Sequence, residues 1–73
     1  MDTDTLGMRI RLARTRRRMT QKDLAALAGL SAAGLCAIEA DRSDPSSSHL
    51  TALARALGVS TDYLVGLTPL PYD

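Results

Sequence analysis

Seventy-three residues, 45% hydrophobic and only 3% aromatic, describe one small domain with an aliphatic core, too apolar for wholesale disorder. A single cysteine, Cys36, and a single histidine, His49, exclude an internal disulfide framework and any zinc-finger ligand set, and fit a reducing cytoplasm. The net charge of +1 hides a split: seven basic residues face only Asp2 and Asp4 through Lys22, a surplus of five, while Arg42 and Arg55 face six acids from Asp23 onward, a deficit of four; such polarity suits a polyanion, or simply a solvated helix face.

Along the chain, Met1–Asp4 is acidic and an arginine-rich stretch follows, which leaves no signal peptide or membrane span. Leu6, Ile10 and Ala13 then recur at helical spacing, which predicts a helix of about 12 residues, capped by Asp4 or Thr5 and ending near Arg17–Arg18. Thr20-Gln21-Lys22-Asp23 reads as a variant capping box. It opens a two-turn helix, Gln21–Ala28, with Leu24, Leu27 and Ala28 as its apolar stripe and Gly29 as its stop. Ser31 caps a third helix, about Ala32 to Ala40, with Leu35 and Ile38 inward. Two short helices joined by Gly29-Leu30-Ser31, with Leu30 plugging the angle, form a helix-turn-helix signature. After the polar loop Asp41–Pro45, one of Ser46, Ser47 or Ser48 caps a fourth helix to Leu57, with Leu50, Leu53, Ala54 and Leu57 inward and Gly58 as terminator. Ser60 caps a last short helix, Thr61 to about Val65, with Leu64 inward, and the Pro-rich tail after Gly66 is not helical. The expectation is an all-α five-helix bundle forming one domain over 1–73: core about 6–67, helix-turn-helix about 21–40, short tail 68–73.

In this order the residues resemble the Cro/C1-type (lambdoid phage repressor-like, XRE) helix-turn-helix family. The matching pieces are Ile10-Arg11-Leu12-Ala13-Arg14, Thr20-Gln21-Lys22-Asp23-Leu24-Ala25, Ala28-Gly29-Leu30-Ser31, Ile38-Glu39, Asp44-Pro45-Ser46 and Leu53 through Leu64. The resemblance implies a small bacterial or phage-encoded, repressor-type transcriptional regulator that binds double-stranded DNA. Its third helix would lie in the major groove, and the start of its second helix would touch the sugar-phosphate backbone. Gln21 falls where the family's glutamine contacts phosphate, beside the free N–H groups of the helix start. Arg14 and Glu39 match a family pair with a structural role, joining the first helix to the end of the third. A homodimer on a near-palindromic site is implied as well, because one such domain buries too little area for tight specific binding.

Arg16, Arg17, Arg18 and Lys22 cluster at the junction of the first two helices and, with Arg42, are the candidates for electrostatic attraction. The candidate DNA-binding set is Arg17, Arg18, Thr20, Gln21, Lys22, Ser31, Ala32, Ala33, Gly34, Cys36, Ala37 and Arg42. The third helix departs from what base reading needs: Ala32, Ala33, Gly34, Cys36 and Ala37 offer no bidentate partner, and Ser31 alone carries a hydroxyl. Three readings follow. The domain binds through phosphates and shape, with alanine methyls against thymine methyls; or the smooth helix docks a protein partner; or the small residues pack within the bundle. Gly34 costs up to about 1 kcal/mol in an exposed helix interior, which fits close approach of a partner or plain drift. Cys36 reads as an inert helix residue and His49 as a solvated one. No nucleophile with a base, carboxylate pair or metal cluster is present, so neither an enzyme nor a cofactor is expected. Tyr63, Val65, Leu67, Leu70 and Tyr72 form the candidate dimer surface, unless Leu67–Leu70 folds back over the core.

Overall fold

The structure, a computed structural model, describes residues 5–71. Five helices follow in order, α1 (Leu6–Arg16), α2 (Gln21–Ala28), α3 (Ala32–Glu39), α4 (Ser47–Leu57) and α5 (Thr61–Leu64), with no strand among the described residues. Every helix starts on a hydroxyl. Thr5, Thr20, Ser31, Ser46 and Ser60 stand in extended backbone, and each side-chain oxygen accepts a hydrogen bond from the N–H three residues on. Such a cap contributes about 1 kcal/mol. At Thr20 the arrangement is reciprocal, since Asp23 Oδ2 accepts from the Thr20 N–H at 3.2 Å. Of the caps considered for α1, Thr5 serves and Asp4 lies outside the described residues; of the three serines before α4, Ser46 serves. Gly29 (φ 72°) and Gly58 (φ 68°) end α2 and α4 in the left-handed conformation that glycine adopts without steric penalty.

Ile10, Leu24, Leu35, Leu53, Leu57 and Leu64, one or two from each helix, are fully buried and meet at the centre. Ala13, Ala25, Ala28, Ile38, Ala54 and Tyr63 complete the core, and Leu30 packs against it from the turn between α2 and α3. Leu27 does not belong to the core: it is 64% exposed. The inward arc of α2 runs over Leu24, Ala28 and Ala25, and Leu27 lies roughly 100° around the axis from its centre.

α1 clamps α3 at its C-terminal end. Asp41, the second residue past α3, takes a left-handed conformation (φ 59°). Its Oδ1 accepts the Gly7 N–H at 3.0 Å and so satisfies a donor in the first turn of α1. The approach is close enough that a Cβ on Gly7 would lie 2.5 Å from the Glu39 carbonyl oxygen and 2.6 Å from that of Ile38. These neighbours are backbone and cannot swing aside. Gly7→Ala is therefore expected to destabilise the fold by about 1–3 kcal/mol, through overpacking. Urea denaturation measures this, and a midpoint equal to that of the wild type would show that α1 and α3 separate freely.

Candidate nucleic-acid interface

One buried carboxylate organises the junction of α1, α2 and α3. Arg14 projects from α1 and grips Glu39, the last residue of α3, with two parallel bonds: Nε to Oε2 at 2.7 Å and Nη2 to Oε1 at 3.0 Å. The two side chains are 12% and 4% exposed. Arg14 Nη1 also donates to the Met19 carbonyl at 2.8 Å, which fixes the link between α1 and α2. Gln21, the first residue of α2, donates its amide Nε2 to Glu39 Oε1 at 3.0 Å. Glu39 thus accepts three N–H bonds, and no buried side-chain polar atom is unpaired among the described residues. The sequence singled out Arg14 with Glu39; the bond from Gln21 to the same carboxylate is an addition from the structure.

Removing one member of a buried pair strands the other in an apolar setting. Glu39→Ala is expected to lower stability by about 3–5 kcal/mol for that reason. The double replacement Arg14→Met/Glu39→Leu, which leaves neither charge buried, should recover part of the loss. Equilibrium denaturation of the three proteins checks the order, and equal stability of Glu39→Ala and wild type would refute it.

The capping box occupies the N–H groups of Thr20 and Asp23, and those of Gln21 and Lys22 have no acceptor within a helix that starts at Gln21. They leave the end of α2 beside the Gln21 amide and the exposed Lys22. An anion meets here the free donors and partial positive charge of a helix start. Thr20 is exposed beside them, with its hydroxyl accepting from Asp23.

α3 presents Ser31, Ala32 and Ala33 exposed, Gly34, Cys36 and Ala37 half-buried, and Leu35 with Ile38 inward. Ala32 and Ala33 therefore do not pack within the bundle, whereas Gly34, Cys36 and Ala37 are partly covered by it. Gly34 has a local account: its N–H donates to Ser31 Oγ at 2.9 Å, and a Cβ there would stand 3.0 Å from that oxygen. Glycine at this position relieves crowding of the cap.

The arginines separate. Arg17 lies against Gly58 at the end of α4 and, with Arg16, borders a cavity of about 40 Å³ that Leu57, Val59 and Tyr63 also line. Both line the side of α1 that faces α4 and α5. Arg18 is exposed in a left-handed turn (φ 57°), and Arg42 is exposed in the loop after α3. Arg11 was not singled out by the sequence, yet it shares a cleft with Arg14, Gln21, Cys36 and Glu39. Its signal was the three-residue spacing from Arg14, which puts both on one helix face.

Of the candidate dimer surface, Tyr63 is a core residue, 9% exposed. Val65, Leu67 and Leu70 are exposed, so the two leucines do not cover the core, although the tail returns to the bundle at Pro71, whose carbonyl accepts the Ser60 N–H at 2.8 Å. Tyr72 lies outside the described residues. His49 has its Nδ1 3.0 Å from the oxygen of Ser46, and among the described residues no cluster of His, Cys, Asp or Glu could hold a metal. No described helix is long and apolar enough to cross a membrane.

Five short helices with α2 and α3 joined through Gly29-Leu30-Ser31, and a carboxylate-held glutamine at the start of α2, define a helix-turn-helix protein. Residues 10–64 match the family described as "Helix-turn-helix", and the chain belongs to the Cro/C1-type helix-turn-helix family of DNA-binding transcriptional regulators. It is similar to the immunity repressor protein of Bacillus phage phi105, with 47% identity over 62 residues. That stretch is 85% of this chain and 43% of the relative, so the chain spans less than half the phage protein's length. The DNA-binding domain of the P22 c2 repressor superposes with a TM-score of 0.84 at 33% identity, covering 90% of this chain and 87% of that one. SinR, the master regulator for biofilm formation, solved in complex with DNA, gives 0.78 at 29% identity, covering 84% and 98%.

Proposed function

We propose that this protein is a transcriptional repressor that binds double-stranded DNA with α3 in the major groove and the start of α2 on a backbone phosphate. The observation that carries the reading is Gln21, held by Glu39 at an open helix start beside an exposed α3. The phi105 immunity repressor and the P22 c2 repressor, solved in complex with a synthetic operator, support it over docking of a protein on α3.

In this reading Gln21, Lys22 and the α2 N–H groups hold phosphate, with Thr20, Arg18 and Arg42 at the edge of the contact. Ser31, Ala32, Ala33, Cys36 and Ala37 face the bases, where methyl-to-methyl contact with thymine and duplex shape replace bidentate hydrogen bonds. Affinity then rests chiefly on charge, and sequence is read weakly by each copy. Selectivity comes from pairing two copies on a near-palindromic site, through the exposed Val65, Leu67 and Leu70. The helix-turn-helix unit does this without catalysis or cofactor, in the cytoplasm.

A titration with random and genomic duplexes over a range of salt tests this directly. The affinity should fall linearly on a log–log plot, with a slope of about −0.9 per phosphate engaged. Gln21→Ala should weaken binding to both kinds of duplex about equally while circular dichroism is unchanged. Ala33→Glu sets a carboxylate against the DNA and should abolish binding. Wild-type affinity in Ala33→Glu would place the duplex elsewhere than on α3.

A further inference from the structure

Beside α3, on the side of α1, an open cleft of about 300 Å³ is lined by Arg11, Arg14, Gln21, Cys36, Glu39 and Ala40. The charges on its walls are not equivalent. Arg14 and Glu39 neutralise each other at 2.7 Å, and the two Glu39 oxygens are covered by three N–H donors, so the carboxylate presents little repulsion to an incoming anion. Arg11 is exposed and has no hydrogen-bond or ion-pair partner among the described residues. The cleft therefore carries one net positive charge, and Arg11 bears it. Gln21 reaches Glu39 with one N–H of its amide, which leaves the second to donate elsewhere. Cys36 and Ala40 complete the lining with small side chains.

We propose that this cleft seats one backbone phosphate of the duplex, with Arg11 as the cation and Gln21 as the neutral donor that share its oxygens. The inference rests on the DNA-binding reading and adds to it a residue of α1, outside the helix-turn-helix. A phosphodiester is the anion the DNA-binding reading brings here, because Cys36 of α3 lines the same cleft as Arg11 and Gln21. A guanidinium and an amide donating to one phosphate also give the fork-shaped recognition in which arginine surpasses lysine.

The test compares Arg11→Gln with Arg55→Gln, which removes the same charge from the exposed last turn of α4. Binding to a random-sequence duplex is measured over a fourfold rise in salt. Arg11→Gln should lower the salt slope by about 0.9, so that three- to fourfold less affinity is lost over that range, whereas Arg55→Gln keeps the wild-type slope. Because both residues hold one phosphate, Arg11→Gln/Gln21→Ala should lose less affinity than the product of the single losses. Equal slopes for Arg11→Gln and Arg55→Gln, or strictly multiplicative losses, overturn the phosphate seat while the wild type still binds DNA. A folded wild type that binds no duplex removes the DNA-binding reading itself, and the seat with it.

Discussion

Burying Glu39 takes a carboxylate out of water, and the chain offsets this by aiming three N–H groups at it, two from Arg14 and one from Gln21. The donors come from two parts of the structure that must be in register, the last turn of α1 and the first residue of α2, both against the last residue of α3. Arg14 adds the Met19 carbonyl and so fixes the turn that delivers Gln21. Gly7 and Asp41 repeat the device at the other end of α1, again against the end of α3. α3 is thus held by its C-terminal end, and its N-terminal face stays free. A helix of eight residues would not keep one orientation on Leu35 and Ile38 alone; the polar joint supplies direction where the apolar core supplies mainly adhesion.

What was legible in the sequence follows from the range of each interaction. Caps and stops are local, three or four residues long, and the hydroxyls and glycines that form them mark all five helices to within a residue or two. The family resemblance extended this to a single long-range pair among several, Arg14 with Glu39, across 25 positions. Three features were not legible, each for a reason of geometry. Leu27 looks inward by spacing from Leu24 but falls outside the arc once Ala25 and Ala28 define it. Arg17 has the charge of a phosphate contact, yet its guanidinium rests at Gly58, a neighbour no local pattern announces. Arg11 looked like one arginine among seven bases until the approach of α2 and α3 made it the wall of a cleft.

The poverty of polar groups on α3 sets the terms on which DNA is recognised under the proposed function. A bidentate side chain distinguishes one base pair from another by about 1–3 kcal/mol; alanine offers a methyl contact, and the Ser31 oxygen already accepts from Gly34. A single copy therefore discriminates weakly, while its phosphate contacts hold any duplex with similar strength. Charge brings the protein to DNA and permits it to slide, and discrimination has to come from something that scales faster than one helix can. In the proposed pairing, two copies on a shared axis would provide it, because a fixed half-site spacing multiplies two weak preferences and rejects sites with the wrong phase. The same logic explains why a joint as elaborate as the Glu39 cluster is worth building beneath so plain a surface. When contacts are few and nonpolar, specificity depends on where the helix is placed, and an error of an ångström in α3 would move every methyl off its partner.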